Sequence, residues 1–343
     1  MKDSDIDPRI RSLCEEVAGG KAAELIADMI GNALQLGREH AGMADLKLIS
    51  RALGELRYAA SVFAKYQGIR KVAVFGSART KPTEEEYKLA ELFAAKIVSH
   101  GYMVITGGGD GIMGAAQKGA GAENSFGLNI RLPFEQRPNA VINGDPKLIN
   151  FNYFFTRKLN FAKETHAFVL LPGGFGTQDE GCEILTLMQT GKMPVVPMIM
   201  LDRPNGHYWE TWRRFIVNDL LDLGLISRSD FHFFHITHDP DEAVRIITRF
   251  YHNFHSYRWV REKMVIRVQR ALSEEAMEDL NVRFDHLLAA DRIVQQFQPF
   301  PEERDDHRLE QLPRIVLTPQ KRDFGSIRLL IDALNSAETA PTP

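Results

Sequence analysis

The sequence predicts an α/β protein built on a doubly wound parallel sheet, with a helical N-terminal extension and a small C-terminal α+β appendage. Short, continuously apolar runs alternate with segments of helical spacing, which is typical of parallel strands covered by helices on both faces. Three of these runs also end in glycine turns that open a helix. In sheets of this kind, ligands bind at the carboxyl ends of the strands.

Residues 1–68 are predicted to form helices. Apolar residues recur there at helical spacing, in two stripes. We expect the stripes to pack on the main domain or on a partner subunit. They comprise Leu25, Ile26, Met29, Ile30, Ala33 and Leu34, then Leu46, Ile49, Leu53, Leu56 and Phe63.

The central domain is predicted to cover 69–255. Its strands are predicted at 71–75, 102–106, 127–132, 167–171 and 195–201, and closing helices at 203–253. The appendage is predicted at 256–335, with strands at 264–268 and 315–317 and helices at 274–288 and 327–334. We expect a disordered tail at 336–343.

Composition places the chain among ordinary globular proteins, with 44% hydrophobic and 25% charged residues in 343. The net charge of −3 provides no basic field for nucleic acid. The acidic N-terminus lacks the apolar core of a signal peptide, and no apolar run approaches the roughly 18 residues of a membrane span. Cys14 and Cys182 form no metal-ligand spacing. We therefore expect a cytoplasmic protein without membrane or nucleic-acid partners.

The segment from Leu170 to Glu180 joins a buried strand to a helix through a glycine turn. The first N–H groups of such a helix lack backbone partners, and together with the helix dipole they favour an anion. Glu180 falls in the first helical turns. The sequence thus predicts an anion site beside a carboxylate.

Other chemistries fit the sequence less well. The turn from Gly109 to Gly114 has the spacing G-x-G-x-x-G of a dinucleotide site, but it follows the second strand of the sheet, and the next strand ends in Arg131 and Leu132 instead of an acid. No Gly-Lys-Ser/Thr motif or Gly-x-Ser-x-Gly elbow occurs. No metal site is predicted, because the histidines form no compact ligand motif; they are His232, His235, His238, His252 and His255.

Arg157 and Lys158 lie on a predicted helix just before the strand at 167–171. Adjacent helical residues cannot both face the core, and an ordinary solvated basic pair is one interpretation. The alternative turns Arg157 toward the ligand cleft, where its planar fork suits a phosphate or sugar hydroxyls.

The stretch Pro172-Gly173-Gly174-Phe175-Gly176-Thr177-Gln178-Asp179-Glu180 resembles the P-G-G-x-G-T-x-x-E motif of the LOG (Lonely Guy) family, whose members have often been labelled lysine decarboxylases. The resemblance extends over roughly 70–250, through Phe75 to Arg79, Gly107 to Gly114, and Arg157-Lys158. It implies a Rossmann-like fold, a homodimer or larger homo-oligomer, and no cofactor. The implied activity is hydrolysis of the N-glycosidic bond of nucleoside 5′-monophosphates, such as AMP or cytokinin riboside monophosphates.

The resemblance also implies site residues. Arg157 and Glu180 correspond to the catalytic pair of the family. Asp179 stands where many members have glutamate. The residues that correspond to substrate-binding positions are Gly76, Ser77, Gly108, Gly109, Gly111, Met113, Lys158, Pro172, Gly173, Gly174, Gly176, Thr177 and Glu183.

The residues themselves agree with this chemistry, because a carboxylate near the ribose stabilises the positive charge that develops when a glycosidic bond breaks. A non-catalytic nucleotide sensor on the same fold is the main alternative. An NAD-dependent oxidoreductase is disfavoured by the position of the glycine turn. A decarboxylase is disfavoured because nothing marks a Schiff-base lysine.

Overall fold

The structure is a computed structural model, and it describes residues 7–132, 137–303, 307–320 and 323–340. The chain divides into two units, Met1–Tyr58 and Ala59–Pro343. The N-terminal region consists of helices α1 (Pro8–Val17), α2 (Gly20–Arg38) and α3 (Met43–Phe63). Asp7 caps α1 by accepting a hydrogen bond from the amide of Arg9. Cys14, Ala23 and Ala27 form a small core between α1 and α2.

The second unit contains a sheet of seven strands, each parallel to its neighbours. In chain order they are β1 (Lys71–Phe75), β2 (Met103–Thr106), β3 (Ser125–Ile130), β4 (Leu148–Phe151), β5 (Ala167–Leu170), β6 (Met198–Leu201) and β7 (Phe234–Thr237). Their spatial order is β4-β3-β2-β1-β5-β6-β7. The chain thus builds outward from β1 on one side and then on the other, and this doubly wound sheet confirms the predicted fold class.

Helices connect these strands: α4 (Glu85–Ser99), α5 (Ile112–Ala120), α6 (Phe154–Glu164), α7 (Phe175–Gln189), α8 (Tyr208–Phe215) and α9 (Pro240–Phe250). A π-helical segment, Ile216–Leu221, follows α8 directly. Every residue of β1, β2, β3, β5 and β6 is buried, which explains why their sequences are mostly apolar. No helix in the described ranges combines the length and apolar character needed to cross a bilayer.

The sequence does not predict β4 and β7, the two edge strands. The expectation of helices throughout 203–253 is wrong at β7, which lies between α8 and α9. The prediction of a strand over 195–201 is also too long, because pairing begins at Met198. Both missed strands include exposed or half-buried positions, so neither is a continuous apolar run.

A second, antiparallel sheet follows α9. It contains β8 (Phe254–Val260), β9 (Lys263–Val268), β10 (Leu288–Gln296) and β11 (Arg314–Pro319) in the order β10-β11-β9-β8, with helices α10 (Glu274–Arg283) and α11 (Phe324–Leu334). β9 and β11 cover the two predicted strands, whereas β8 and β10 are not predicted. The helix predicted at 274–288 ends at Arg283, because Leu288 begins β10 and pairs with Pro319.

Within the predicted tail 336–343, Thr339 forms a bridge with Leu272, and the amide of Ala340 donates a hydrogen bond to the carbonyl of Ala271. Residues 341–343 lie outside the described part of the chain.

Candidate active site

Three glycine turns meet at one edge of the parallel sheet. They follow β2, β1 and β5, which are adjacent at the centre of the sheet. The strand order reverses between β1 and β5. In doubly wound sheets, such a reversal opens a crevice beyond the carboxyl ends of the strands, and ligands bind there.

The turns after β1 and β2 are in direct contact. The amide of Ile112 donates a hydrogen bond to the carbonyl of Ser77 at 3.0 Å. A Cβ atom on Gly111, which has φ +66°, would lie 2.3 Å from that carbonyl oxygen. A Cβ atom on Gly76 would lie 2.7 Å from the side chain of Ile112. Packing alone therefore requires glycine at both positions.

The turn after β5 closes against the same backbone. The amide of Ser77 donates to the carbonyl of Pro172 at 3.1 Å. A Cβ atom on Gly173 would lie 2.1 Å from Oγ1 of the buried Thr177 and 3.1 Å from the carbonyl carbon of Gly76. Gly173 therefore also has a packing reason to be glycine.

Gly174 and Gly176 differ from these glycines. Apart from its chain neighbours and the backbone of its own helix, no described atom lies within 4 Å of a Cβ built on either residue, and neither has a positive φ. The amides of Phe175 and Gly176, at the start of α7, donate to no acceptor within the described ranges. The start of α7 therefore presents N–H groups in open space, as an anion site requires.

Gly108 and Gly109 turn their carbonyls away from this space. Both residues are buried, and Nδ2 of the buried Asn139 donates to their oxygens at 3.1 and 2.9 Å. The half-buried Met113 packs its sulfur against Gly107. Asn139 is missing from the sequence-based prediction, because it lies outside strands and helices and no local pattern marks it.

Arg157 and Glu180 come together from α6 and α7. A guanidinium nitrogen, Nη1, lies 3.9 Å from Oε1 of Glu180, which is 6% exposed. Nε of Arg157 donates to the carbonyl of Leu128 at 2.7 Å, and the guanidinium lies 5.2 Å from the ring centroid of Phe161. The arginine is thus held in one position. It passes so close to Gly107 that a Cβ there would lie 2.5 Å from Nη2.

Lys158 also turns into the site. Its Nζ atom lies 2.7 Å from Glu183, 2.9 Å from Asp179 and 3.5 Å from Glu180. The expectation that only one residue of the basic pair could face inward is therefore wrong. Their two long side chains approach the Glu180 carboxylate from adjacent backbone positions and reach different oxygens.

The electrostatics follow from burial and from these contacts. Burial raises the pKa of Glu180 above the usual value of 4.5, and the charges of Lys158 and Arg157 only partly oppose this effect. Burial lowers the pKa of Arg157, against the attraction of Glu180. Burial also tends to lower the pKa of Lys158, but hydrogen bonds to Asp179 and Glu183 bring it above its usual value. A carboxylate with a raised pKa suits proton transfer near neutral pH.

Three polar residues that are not among the predicted site residues support the turn after β5. The hydroxyl of Tyr208 donates to the carbonyl of Gly173, and Nε2 of Gln178 donates to that hydroxyl at 2.6 Å. Asp202, directly after β6, accepts a hydrogen bond from the amide of Tyr208 at 2.9 Å and so fixes the start of α8. These residues follow the carboxyl ends of strands, and that is the one feature of the sequence that indicates a place in the site.

Several of the predicted site residues therefore meet at one sheet edge, but in different settings. Gly76, Gly111 and Gly173 are close-packed, and Gly108 and Gly109 bond to Asn139. The start of α7 adjoins open space, and Arg157 and Glu180 are buried beside each other. Among the described residues, no group of three or more His, Cys, Asp or Glu side chains could hold a metal ion. The edge combines helix-start amides that have no described acceptor with a carboxylate and two cations.

The chain is similar to several known proteins. A family described as "Possible lysine decarboxylase" matches residues 113–247, a range that includes Arg157, Lys158 and Glu180. Two curated relatives are named cytokinin riboside 5′-monophosphate phosphoribohydrolase. The one from Mycobacterium marinum is 28% identical over 176 residues, and the one from Mycobacterium tuberculosis is 29% identical over the same length. Each alignment covers 51% of this chain and 91% of the relative.

Similar solved structures include a molybdenum cofactor carrier protein from Chlamydomonas reinhardtii, with 23% identity, a TM-score of 0.37, and coverage of 53% of this chain and 97% of that chain. A molybdenum cofactor binding protein from Rippkaea orientalis has 21% identity and a TM-score of 0.35, with coverage of 52% and 94%.

Proposed function

We propose that this chain, which belongs to the LOG family, hydrolyses the N-glycosidic bond of a nucleoside 5′-monophosphate to a free base and ribose 5-phosphate. The substrate is of the AMP or cytokinin riboside monophosphate type. Support comes from the names of the two curated relatives and from the chemistry of the sheet edge. The observation that carries the proposal is the position of the Glu180–Arg157 pair next to the open start of α7.

The 5′-phosphate would bind at the start of α7. The amides of Phe175 and Gly176 donate to no described acceptor, and the positive end of the helix dipole favours a phosphate. Gly174 and Gly176 leave open space that side chains would fill. Phosphate binding there would fix the sugar and use binding energy remote from the bond that breaks.

Glu180 would serve the reacting carbon. As the C1′–N bond breaks, its electron pair leaves with the base, and the sugar develops oxocarbenium character. The Glu180 carboxylate stabilises this charge and accepts a proton from the water that attacks C1′. The base gains a proton, so water is consumed and the two products balance. Burial raises the pKa of Glu180, which favours this proton transfer near neutral pH.

Arg157 would hold the substrate and balance the charge of Glu180. Its Nε atom is bound to the Leu128 carbonyl and its plane lies on Phe161, so little conformational freedom is left to lose. The terminal amino groups are oriented toward Glu180 and Gly107. From there they can donate hydrogen bonds to a ribose hydroxyl, a phosphate oxygen or the leaving base.

The protein is further proposed to act as a homodimer or larger homo-oligomer. Phe154, Phe155 and Leu159, on α6 beside Lys158, are each about half exposed, and an apolar surface of this kind suits contact with another subunit. Light scattering after size-exclusion chromatography tests this point. We expect a mass of at least two chains; the mass of one chain would contradict the proposal.

The activity is tested by incubating the full chain with AMP, GMP, CMP and isopentenyl-AMP and measuring free base by chromatography. We expect base from at least one monophosphate and none from the matching nucleoside. Glu180→Gln should lower the rate by about 10²–10⁴-fold. Glu91→Gln, a change of the same type at a residue paired with Lys118 on the surface, should retain the rate. Tight binding of a monophosphate without release of base would identify a nucleotide-binding protein instead.

A further inference from the structure

A second cavity lies at the opposite edge of the parallel sheet. Its volume is about 480 Å³, within the range of small-molecule sites. Met198 at the start of β6, Phe234 at the start of β7, and Phe250 at the end of α9 contribute to its lining, together with the C-terminal half of α11. The glycine turns follow the carboxyl ends of β1, β2 and β5, which run parallel to β6 and β7, whereas Met198 and Phe234 lie at the amino ends of their strands. This second cavity is therefore separate from the candidate active site.

Two arginines meet at the α11 side of the second cavity. Arg328 is 8% exposed, and its Nε atom donates to Asp332 at 3.0 Å, while its guanidinium lies 4.9 Å from the ring centroid of Phe250. Arg249, from α9, donates through Nη2 to the hydroxyl of Ser336 at 2.8 Å. That hydroxyl donates to the backbone carbonyl of Asp332. Both guanidinium groups are therefore attached to the same turn of the chain.

The terminal amino groups of Arg328 are unusual for so buried a side chain. Within the described ranges, only its Nε atom has a hydrogen-bond acceptor, and the arginine lines the cavity. The acidic side chains that line the cavity already have hydrogen-bond or ion-pair partners. Asp332 accepts from Arg328, and Glu242 accepts from the hydroxyl of Thr237 and lies 3.5 Å from His235. A buried cation whose donors are only partly used favours an anionic ligand.

The lining of the second cavity also has an apolar part. Phe231 and Phe234 lie with ring centroids 5.6 Å apart, and Ile246 lies beside them. A ring placed against these side chains removes apolar surface from water and makes aromatic contacts. The lining of the cavity thus combines two arginines with a pair of aromatic rings.

We propose that the second cavity binds a small phosphomonoester that carries an aromatic or other apolar ring. The phosphate is held by Arg328 and Arg249, and the ring packs on Phe231 and Phe234. This site is distinct from the start of α7, and its existence does not depend on the hydrolase activity proposed above.

Isothermal titration calorimetry with phenyl phosphate tests the proposal, because this probe has the phosphate and the ring but no ribose. Inorganic phosphate and phenol each supply one half of the probe, and both should bind more weakly. Arg249→Gln should weaken phenyl phosphate binding about tenfold, the effect of losing one charge-assisted hydrogen bond. Arg245→Gln is the matched control on the same helix. Its side chain pairs with Asp239 outside the cavity, and its affinity should be unchanged.

Arg328→Lys retains the charge but loses the planar fork, and it should also weaken binding. If Arg328→Lys folds poorly, the binding measured for Arg249→Gln decides the test, because Arg249 is an exposed residue. Gly176→Glu places a carboxylate at the start of α7 and should leave the affinity unchanged. The proposal is overturned if phenyl phosphate does not bind, if Arg249→Gln binds it like the unmodified chain, or if Gly176→Glu abolishes binding.

Discussion

A guanidinium nitrogen of Arg157 lies 3.9 Å from a carboxylate oxygen of Glu180, and the side chains are only 11% and 7% exposed. Removing Glu180 would leave the buried Arg157 without a counter-charge, whereas Glu180 without Arg157 would keep Lys158, whose Nζ atom lies 3.5 Å away. The remaining contacts of Arg157, to Leu128 and Phe161, fix its position but do not neutralise its charge. The pair therefore acts as a unit in the proposed reaction.

Replacing Arg157 should affect the reaction more than the fold. Arg157→Gln removes the cation next to Glu180, and we expect kcat for nucleoside monophosphate hydrolysis to fall about 10²–10³-fold. Arg157→Lys should recover little, because a lysine cannot reproduce the planar fork. The measurement is initial-rate kinetics of base release, with Lys163→Gln on the exposed end of α6 as the control. Full activity in Arg157→Gln would exclude this residue from the mechanism.

Two neighbouring glycines should respond differently to alanine. In Gly173→Ala, the new Cβ would lie 2.1 Å from Thr177 Oγ1, and we expect the free energy of unfolding to fall by about 1–3 kcal/mol. In Gly174→Ala, nothing described lies within 4 Å, so the fold should be unaffected. The new methyl group should instead raise KM by entering the proposed phosphate site. Urea unfolding and steady-state kinetics test the pair, and equal stability losses would contradict the prediction.

Lys158 should set the pH dependence of the reaction. Burial raises the pKa of Glu180, and Lys158 provides the largest opposing charge. If the reaction needs the ionised carboxylate, activity falls as the pH drops through the pKa of Glu180. Lys158→Gln removes the opposing charge, so this acidic limb should move to higher pH. The profile of kcat/KM against pH for both proteins is the measurement. An unchanged limb would show that Lys158 does not act on Glu180.

His166 should make the protein sensitive to acid. Burial, with the charges of Lys71 and Arg70, lowers its pKa from 6.5 to about 4. As the pH falls, His166 therefore becomes protonated in the unfolded chain at a higher pH than in the folded chain. The contribution of His166 to the free energy of unfolding is therefore unaffected by pH above about 6.5. As the pH falls from there toward 4, the free energy of unfolding decreases by at most about 1.4 kcal/mol per pH unit. His166→Asn should flatten the dependence of unfolding free energy on pH in this window. His40→Asn, at an exposed histidine, should retain the slope.

A buried carboxylate beside the antiparallel sheet should matter for stability. Glu303 accepts hydrogen bonds from Nε of Arg267 at 2.9 Å and from Nε of Arg314 at 3.0 Å, and all three residues are buried. Glu303→Ala leaves two buried cations unpaired, and we expect a loss of about 3–5 kcal/mol. Glu302→Ala removes only an exposed partner of Arg261 and should cost less than about 1 kcal/mol. Urea unfolding of both variants measures the difference.

The sequence predicts the interior of each sheet but not its edges. β1, β2, β3, β5, β6, β9 and β11 are all interior strands, and each coincides with a predicted one. β4, β7, β8 and β10 are all edge strands, and the sequence predicts none of them. An interior strand is buried and must be apolar nearly throughout, whereas an edge strand accepts polar residues on its solvated side. β10, for example, contains Asp291 and Arg292 and pairs with shifts in register.

The sequence by itself determined the fold class, the glycine turns, and the pairing of a carboxylate with a helix start, because each depends on residues close together in the chain. Only the tertiary structure decided which glycines are close-packed and which adjoin open space. It also turned Arg157 and Lys158 toward one carboxylate and brought Asn139 and Tyr208 to the turns. These contacts join residues that are distant in the sequence. Their geometry is set by the order of the strands and the packing of α6, α7 and α8, and no local pattern encodes it.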